Sequence, residues 1–255
     1  MPEISAVILT LNEEQNIGRC IDSVKDVVDD IVVVDSFSTD KTEEICKSKG
    51  IRFVQHKFEG HIEQKNYAIT QAIYPYVLSL DADEALSDKL RQSILDIKNN
   101  WQYDGYSMNR LNNYCGKWIK HTGWYPDRKL RLWDSRKGKW TGENPHDRYE
   151  MEKEAKISFL KGNLLHYSYH SISQHIEQIQ KFSTISAKTK FKKGKNMNIL
   201  MLIIRPLVFF IKKYFLKMGI LDGYYGFIIS VLTSYYIFVK DIKLRELNKN
   251  KPDNL

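Results

Sequence analysis

No Cys-x-x-Cys pair occurs in the chain. Its three cysteines, Cys20, Cys46 and Cys115, are odd in number and far apart. That excludes a disulfide framework and a zinc knuckle, and it fits a reducing compartment. Also absent is a Gly-x-Gly-x-x-Gly after the first apolar run, which disfavours a dinucleotide-binding Rossmann domain, and no G-x-x-x-x-G-K-[ST] phosphate loop occurs. No basic stretch followed by an apolar segment opens the sequence, so nothing resembles a secretory signal and the active part is expected on the cytosolic side.

What is present is a chain of 255 residues, 42% hydrophobic, long enough to bury a full core as one large α/β domain or a domain with an appendage. The net charge of +8 is unevenly spread. Over 181–251 there are 15 Lys or Arg against 3 Asp or Glu, which leaves the rest of the chain net negative. The same third holds two strongly apolar stretches, 199–211 and 219–239, flanked by lysines. Basic residues around apolar, aromatic-rich segments suit an anionic membrane surface, with no call for nucleic acid. The stretch 219–239 has the length of a membrane span but carries Asp222 with several Ser, Thr and Tyr, so attachment in the plane of the membrane is the preferred expectation. Packing on the catalytic domain or within a homo-oligomer is the alternative.

The first hundred residues alternate short apolar runs with helical patterns. Strands are expected over 5–9, 31–34, 51–54 and 76–80. Between them Ile17, Ile21 and Val24 recur at helical spacing, Asp40-x-x-Glu43 reads as a capping pair, and 62–72 has helical composition. Wholly apolar strands alternating with helices predict a mostly parallel sheet covered on both faces, with ligands beyond the carboxyl ends of the strands. Three polar clusters fall at those ends: Thr10-Leu11-Asn12-Glu13, Asp35-Ser36 and Asp81-Ala82-Asp83-Glu84. Two carboxylates separated by one small residue after a buried strand can hold a hard divalent cation, which in such places also binds substrate phosphates. A solvated turn before a helix capped at Ser87 is the plain alternative. From Trp101 to Tyr149 the pattern becomes irregular and rich in Trp, Tyr, Arg and Gly, predicting loops and short strands over a site, with a small antiparallel extension whose Trp and Tyr fill a minor core as the alternative. A helix is expected from Ser173 onward, where Ile176, Ile179, Phe182 and Ile185 recur every third residue.

These residues resemble the inverting family-2 glycosyltransferases with the GT-A fold, and among them bacterial lipopolysaccharide-core glucosyltransferases of the WaaE type. The resemblance rests on Thr10-Leu11-Asn12-Glu13-Glu14, Val33-Val34-Asp35-Ser36-Phe37-Ser38-Thr39-Asp40-Lys41-Thr42, Gln64-Lys65-Asn66-Tyr67-Ala68, Asp81-Ala82-Asp83-Glu84, Gly123-Trp124-Tyr125-Pro126-Asp127 and His166-Tyr167-Ser168-Tyr169. The order and spacing of these pieces are more specific than any one of them, and Gly219-Ile220-Leu221-Asp222-Gly223 resembles the tails of that subgroup.

The resemblance implies a GT-A domain over 1–172, with a nucleotide-sugar half (1–100) and an acceptor half (101–172), followed by a basic, apolar helical tail (173–255) that associates with a membrane. It implies a hexose donor activated as a nucleoside diphosphate, UDP most often, and a glycolipid or polysaccharide acceptor. Thr10, Asn12 and Glu13 would line the nucleotide pocket, Asp35 would contact uracil or ribose, and Lys65 would approach the diphosphate. Asp83 would be the main ligand of Mg²⁺ or Mn²⁺, with Asp81 on the ribose side, and Arg128 or Arg131 would add positive charge near the phosphates. Asn12 and Asp35 can also be read as local caps, and Lys65 as a solvated helix charge.

The base is expected after the variable acceptor region, within Gly142-Glu143-Asn144-Pro145-His146-Asp147. Related sequences carry His-Glu where this one has His146-Asp147, so Asp147 is the first choice and Glu143 the second. His146 or His166 can complete the metal shell, or each can be an ordinary hydrogen-bonded histidine. A nucleotidyltransferase, or a sugar-binding protein with a disabled site attached to the membrane, are the competing readings. The first would want a Gly-rich basic loop after strand one, which Leu11-Asn12-Glu13-Glu14 does not supply.

Overall fold

A computed structural model describes residues 1–143 and 146–250; the side chains of Glu143 and His146 lie outside what it describes. The chain divides into two compact units, 1–111 with 127–167 and 112–126 with 168–255.

The first unit opens with three strand-helix repeats: β1 (Ile4–Thr10), α1 (Ile17–Val24), β2 (Asp30–Asp35), α2 (Thr42–Ser48), β3 (Arg52–Gln55), α3 (His61–Thr70) and β4 (Tyr76–Asp81). Each helical crossover returns the chain in the same direction, so β3-β2-β1-β4 run parallel. Alternate side chains of β1 explain why the run is apolar but for Ser5 and Thr10. Ile4, Ala6 and Ile8 pack with Ile17, Ile21 and Val24 of α1, whereas Val7 lies with Val32, Val34, Val77 and Ala68 of α3.

A short β5 (Glu84–Leu86) leads into α4 (Asp88–Asn99), whose cap is Ser87, the Oγ accepting from the Leu90 amide. Then come β6 (Gly105–Tyr114), β7 (Lys117–Ile119), β8 (Asp127–Asp134), β9 (Gly138–Glu143), β10 (His146–Met151) and β11 (Ile157–Tyr169). Among the described residues the main sheet has nine strands, ordered β3-β2-β1-β4-β8-β6-β11-β5, with β7 on β6. Only its first four are parallel. β8 pairs antiparallel with β4 and with β6, and β11 with β5.

The expectation of a mostly parallel sheet therefore needs correction, and over 101–149 the alternative holds in place of loops: antiparallel strands, with Trp133, Trp140 and Tyr149 in a core of their own. The polar letters that hid these strands are buried with partners: the Ser107 hydroxyl donates to the Ser158 carbonyl and accepts from Arg128, and Asn113 accepts from the Gly116 amide.

The second unit contains the end of β6 from Asn112 with β7, α5 (Ile172–Lys192), α6 (Ile199–Ile211), a π-helical turn (Lys212–Leu216), a 3₁₀ turn (Gly219–Asp222) and α7 (Gly223–Lys249). No described helix is long and apolar enough to cross a membrane. The 219–239 stretch is not one helix: it breaks at Asp222, whose buried carboxylate accepts from the Lys120 and His121 amides and faces His121 Nδ1 at 3.0 Å. Cys20, Cys46 and Cys115 are free thiols, and burial pushes the Cys20 thiol up.

Candidate active site

The carboxyl ends of β2, β1 and β4 lie side by side, with Thr10 in register with Asp35 and Leu9 with Asp81. The three polar clusters thus share one sheet edge. Asp35 is fully buried and closes its own turn, accepting from the Ser38 amide at 2.8 Å, from the Ser38 hydroxyl and from Gln55. The Thr10 hydroxyl, at the carboxyl end of β1, is buried with no partner among the described residues, and a buried unsatisfied group of this kind calls for an explanation.

The loops after β1 and β2 are laced together. The Asn12 amide donates to Ser38 Oγ, Asn12 Oδ1 accepts from the Thr39 amide, the Glu13 amide donates to Thr42 Oγ1, and Glu14 exchanges bonds with Asp40 and Lys41. Asn12 adopts φ +54°, a conformation that asparagine tolerates better than most residues, and its side chain holds the second loop. Burial raises the Glu13 carboxyl above its usual range; Asn16 opposes this, and the negative charges of Asp83, Asp40 and Asp81 add to it.

Beyond β4, Asp81-Ala82-Asp83-Glu84 forms a tight turn closed by Glu84, whose Oε2 accepts from the Asp81 amide. Arg131 on β8 bridges Asp81 at 2.8 Å and the fully buried Glu84 at 2.7 Å, and Arg110 joins Glu84 at 3.5 Å and Asp127 at 2.8 Å. Burial works against ionisation of Asp81, but Arg131 and Lys65 outweigh it and hold the carboxyl well below the usual carboxylate range. Arg131 is likewise held protonated despite its burial, by Glu84 and Asp81.

Asp83 points to another partner: His166, opposite Glu84 where β11 pairs with β5, places Nε2 3.0 Å from Asp83 Oδ2. Burial disfavours the imidazolium, yet the bond to Asp83 and its charge raise the His166 pKa. Next to it, Tyr167 donates its amide to the Asp83 carbonyl and carries the Arg19 guanidinium 3.8 Å above its ring. Among the described residues no cluster of three or more His, Cys, Asp or Glu could hold a metal ion. Asp83 and His166 form a pair.

Gln64-Lys65-Asn66 on α3 serves three directions at once. Gln64 donates to Ser36 Oγ, Asn66 exchanges two bonds with the Trp140 backbone on β9, and Lys65 reaches Asp147 on β10 at 2.5 Å. Lys65 and Asp147 are only 12% and 13% exposed, and the ammonium lies 4.3 Å from the centre of the Trp140 ring. Glu143 and His146 pair across the β9–β10 hairpin, but their side chains, proposed for base and metal, lie outside the described residues. Arg128 is engaged elsewhere, with Ser107 Oγ at 2.8 Å and the Phe159 ring at 4.8 Å.

The structure thus brings together Thr10, Asp35, Asp81, Asp83, His166, Lys65 and Asp147, and it does not bring Arg128 to them. Sequence reasoning missed the structural weight of Glu84, Arg110, Arg19 and Trp140. Glu84 alone was visible, as the last letter of its motif.

The family model for glycosyl transferase family 2 matches residues 5–153. The chain belongs to that family. Similar proteins include an uncharacterized glycosyltransferase of Rickettsia typhi, 31% identical over 97% of this chain and 88% of the relative. Another is the lipopolysaccharide core biosynthesis glycosyltransferase LpsC of Rhizobium meliloti, 29% identical over 98% of this chain and 95% of the relative. Among solved structures, glucosyl-3-phosphoglycerate synthase from Mycobacterium tuberculosis, in complex with Mn²⁺, UDP and glucosyl-3-phosphoglycerate, is 23% identical over 44% of each chain with a TM-score of 0.38. The family match and these relatives make the chain a glycosyltransferase, and the nucleotidyltransferase and non-catalytic readings fall away.

Proposed function

We propose that this glycosyltransferase has the GT-A architecture and moves a hexose, glucose in the first instance, from a UDP-sugar to a membrane-borne glycan such as lipopolysaccharide core, with inversion at the anomeric carbon. The observation that carries this reading is the Asp83–His166 pair, 3.0 Å apart, just past the Leu9–Asp81 register position on the edge that also holds Thr10 and Asp35. The carboxylate suits Mg²⁺ or Mn²⁺, and the imidazole beside it is acceptable to Mn²⁺ although oxygen donors are preferred, with the remaining positions left to water and substrate phosphates. A cation bound there would supply neutralising charge for the leaving diphosphate.

On the nucleotide side, Thr10, Asn12, Glu13 and Asp35 would border the base and ribose, with Asp81 beside them. Arg131 keeps Asp81 ionised, so its part is positional. Lys65, whose charge acts on Asp147 and on Asp81, is the cation proposed for the diphosphate. Asp147 is the proposed base. It takes the proton of the acceptor hydroxyl as that oxygen bonds to the anomeric carbon and the bond to the diphosphate oxygen breaks, releasing UDP. Glu143 is the second candidate for the base and His146 for the metal shell.

The acceptor class draws on the LpsC relative, named for lipopolysaccharide core biosynthesis, and on the basic, apolar second unit, which would attach the enzyme to the inner face of the cytoplasmic membrane. Release of UDP from a panel of nucleotide sugars, with and without Mn²⁺ and membrane glycolipid, tests the reading. Turnover should require the cation and fall at least about 100-fold in both Asp83→Ala and Asp147→Asn, with Asp147→Asn still binding UDP. A full-rate Asp147→Asn enzyme would move the base to Glu143, and full turnover in a chelator would remove the metal from the scheme.

A further inference from the structure

Between Glu177 and Asp222 the sequence has nine lysines, one arginine and no carboxylate. In the middle of that stretch α6 reads Ile-Leu-Met-Leu-Ile-Ile-Arg-Pro-Leu-Val-Phe-Phe-Ile, and none of its residues is buried. Ile203 is 71% exposed, and the apolar surface continues through Leu207, Phe215, Leu216 and Leu221. Such a contiguous face on a folded unit marks a docking surface.

The charges of this stretch are sorted by side. Arg205 turns inward to the buried Asp241 on α7, at 2.7 Å, and Lys213 donates to the Thr122 carbonyl at 2.8 Å. Lys192 and Lys195, before α6, and Lys212 and Lys217, after it, stay exposed. The result is an uncharged centre with a cationic rim.

We infer that α6 and the turns up to Leu221 form a wedge that enters one leaflet of an anionic bilayer, with the rim lysines on lipid phosphates. The dimensions fit a helix lying in the plane. Thirteen residues make a helix roughly 20 Å long, short of the ~30 Å hydrocarbon core, and an apolar face bordered by lysines is the pattern of interfacial helices. A second copy of the chain is a poorer occupant, because a symmetric contact would set two such rims together with no acidic residue of the stretch to answer them. The inference relies on the proposed membrane-borne acceptor only for its purpose; the surface stands on its own geometry.

Flotation of the full chain with vesicles tests it, using phosphatidylcholine alone and phosphatidylcholine with one third phosphatidylglycerol. Binding is expected only to the anionic vesicles, weakening in high salt, and reduced at least about tenfold in Ile203→Glu/Leu207→Glu. The thermal midpoint and any UDP release from soluble donor should be unchanged in that variant. Equal binding of the variant, or no wild-type binding to anionic vesicles, overturns the inference. So does a dimer in sedimentation that the variant dissolves while vesicles are ignored. A protein that binds vesicles but never releases UDP from any donor leaves the wedge in place and sinks the donor reading, so the two failures are separable.

Discussion

Arg131 sat in the sequence as a cation free to meet phosphate, and nothing in Leu130-Arg131-Leu132 hinted that its charge already had partners. Its side chain is 4% exposed and bridges Asp81 and Glu84, carboxylates that without it would stand against each other in the turn before α4. Only the antiparallel pairing of β8 with β4 brings Arg131 there, and that pairing was not legible, because it depends on a strand contributed from fifty residues downstream. The acidic residues of the sheet edge were more legible, since Asp81, Asp83 and Asp35 follow apolar runs that end there. A buried charge left alone is costly, whereas a neutral replacement of the whole group is not. Arg131→Met should therefore destabilise the first unit by about 3–5 kcal/mol, read as a lower denaturant midpoint. Adding Glu84→Gln should recover part of that loss, and an unchanged midpoint in the single variant would show that the bridge carries no stability.

At the scale of elements, β1 to β4 emerged within a residue or two of expectation because their runs are apolar except for Ser5, Arg52 and Ser79, and β1, β2 and β4 are covered on both faces. The strands β6, β8 and β11 did not, because Asn, Ser and Arg stand at buried positions where hydrogen bonds satisfy them. The tail was half legible: its apolar content was plain, but the break at Asp222–Gly223 was hidden inside one long hydrophobic run. Two glycines govern that break. A Cβ on Gly226 would lie 1.8 Å from the Gly219 carbonyl oxygen, and one on Gly219 would lie 2.8 Å from the Lys213 carbonyl oxygen. The first turn of α7 thus rests directly on the preceding 3₁₀ turn, backbone against backbone, with no flexible side chain to yield. Gly226→Ala should cost more than the usual 1–3 kcal/mol of overpacking. The expected sign in calorimetry is a lower melting transition for the second unit, with the first unit unmoved; a neutral Gly226→Ala would mean that the turn is free to slide.

Across the whole molecule, one buried histidine in each unit answers acid in the opposite direction from the other. In the first, the His166 pKa is raised above 6.5, burial being outweighed by Asp83; its stabilising share is complete below the unfolded value and is lost as pH rises through the folded one. In the second, His175 is 7% exposed, accompanied by the Tyr114 hydroxyl at 3.0 Å and by the rings of Tyr114, Trp124 and Tyr169. Burial lowers its pKa from 6.5 to about 4, so the neutral ring is the folded form. Its stabilising share is present above 6.5 and declines as pH falls towards 4. Between pH 6.5 and about 5, where most carboxylates are still ionised, the second unit should lose about 2 kcal/mol. His175→Gln keeps a neutral partner for the Tyr114 hydroxyl and has no proton to gain, so it should flatten that loss. Thermal melts of the full chain across this pH range, followed by near-ultraviolet circular dichroism for the aromatic cluster around His175, measure it directly. A second-unit transition equally acid-sensitive in wild type and His175→Gln would place the acid response on another group.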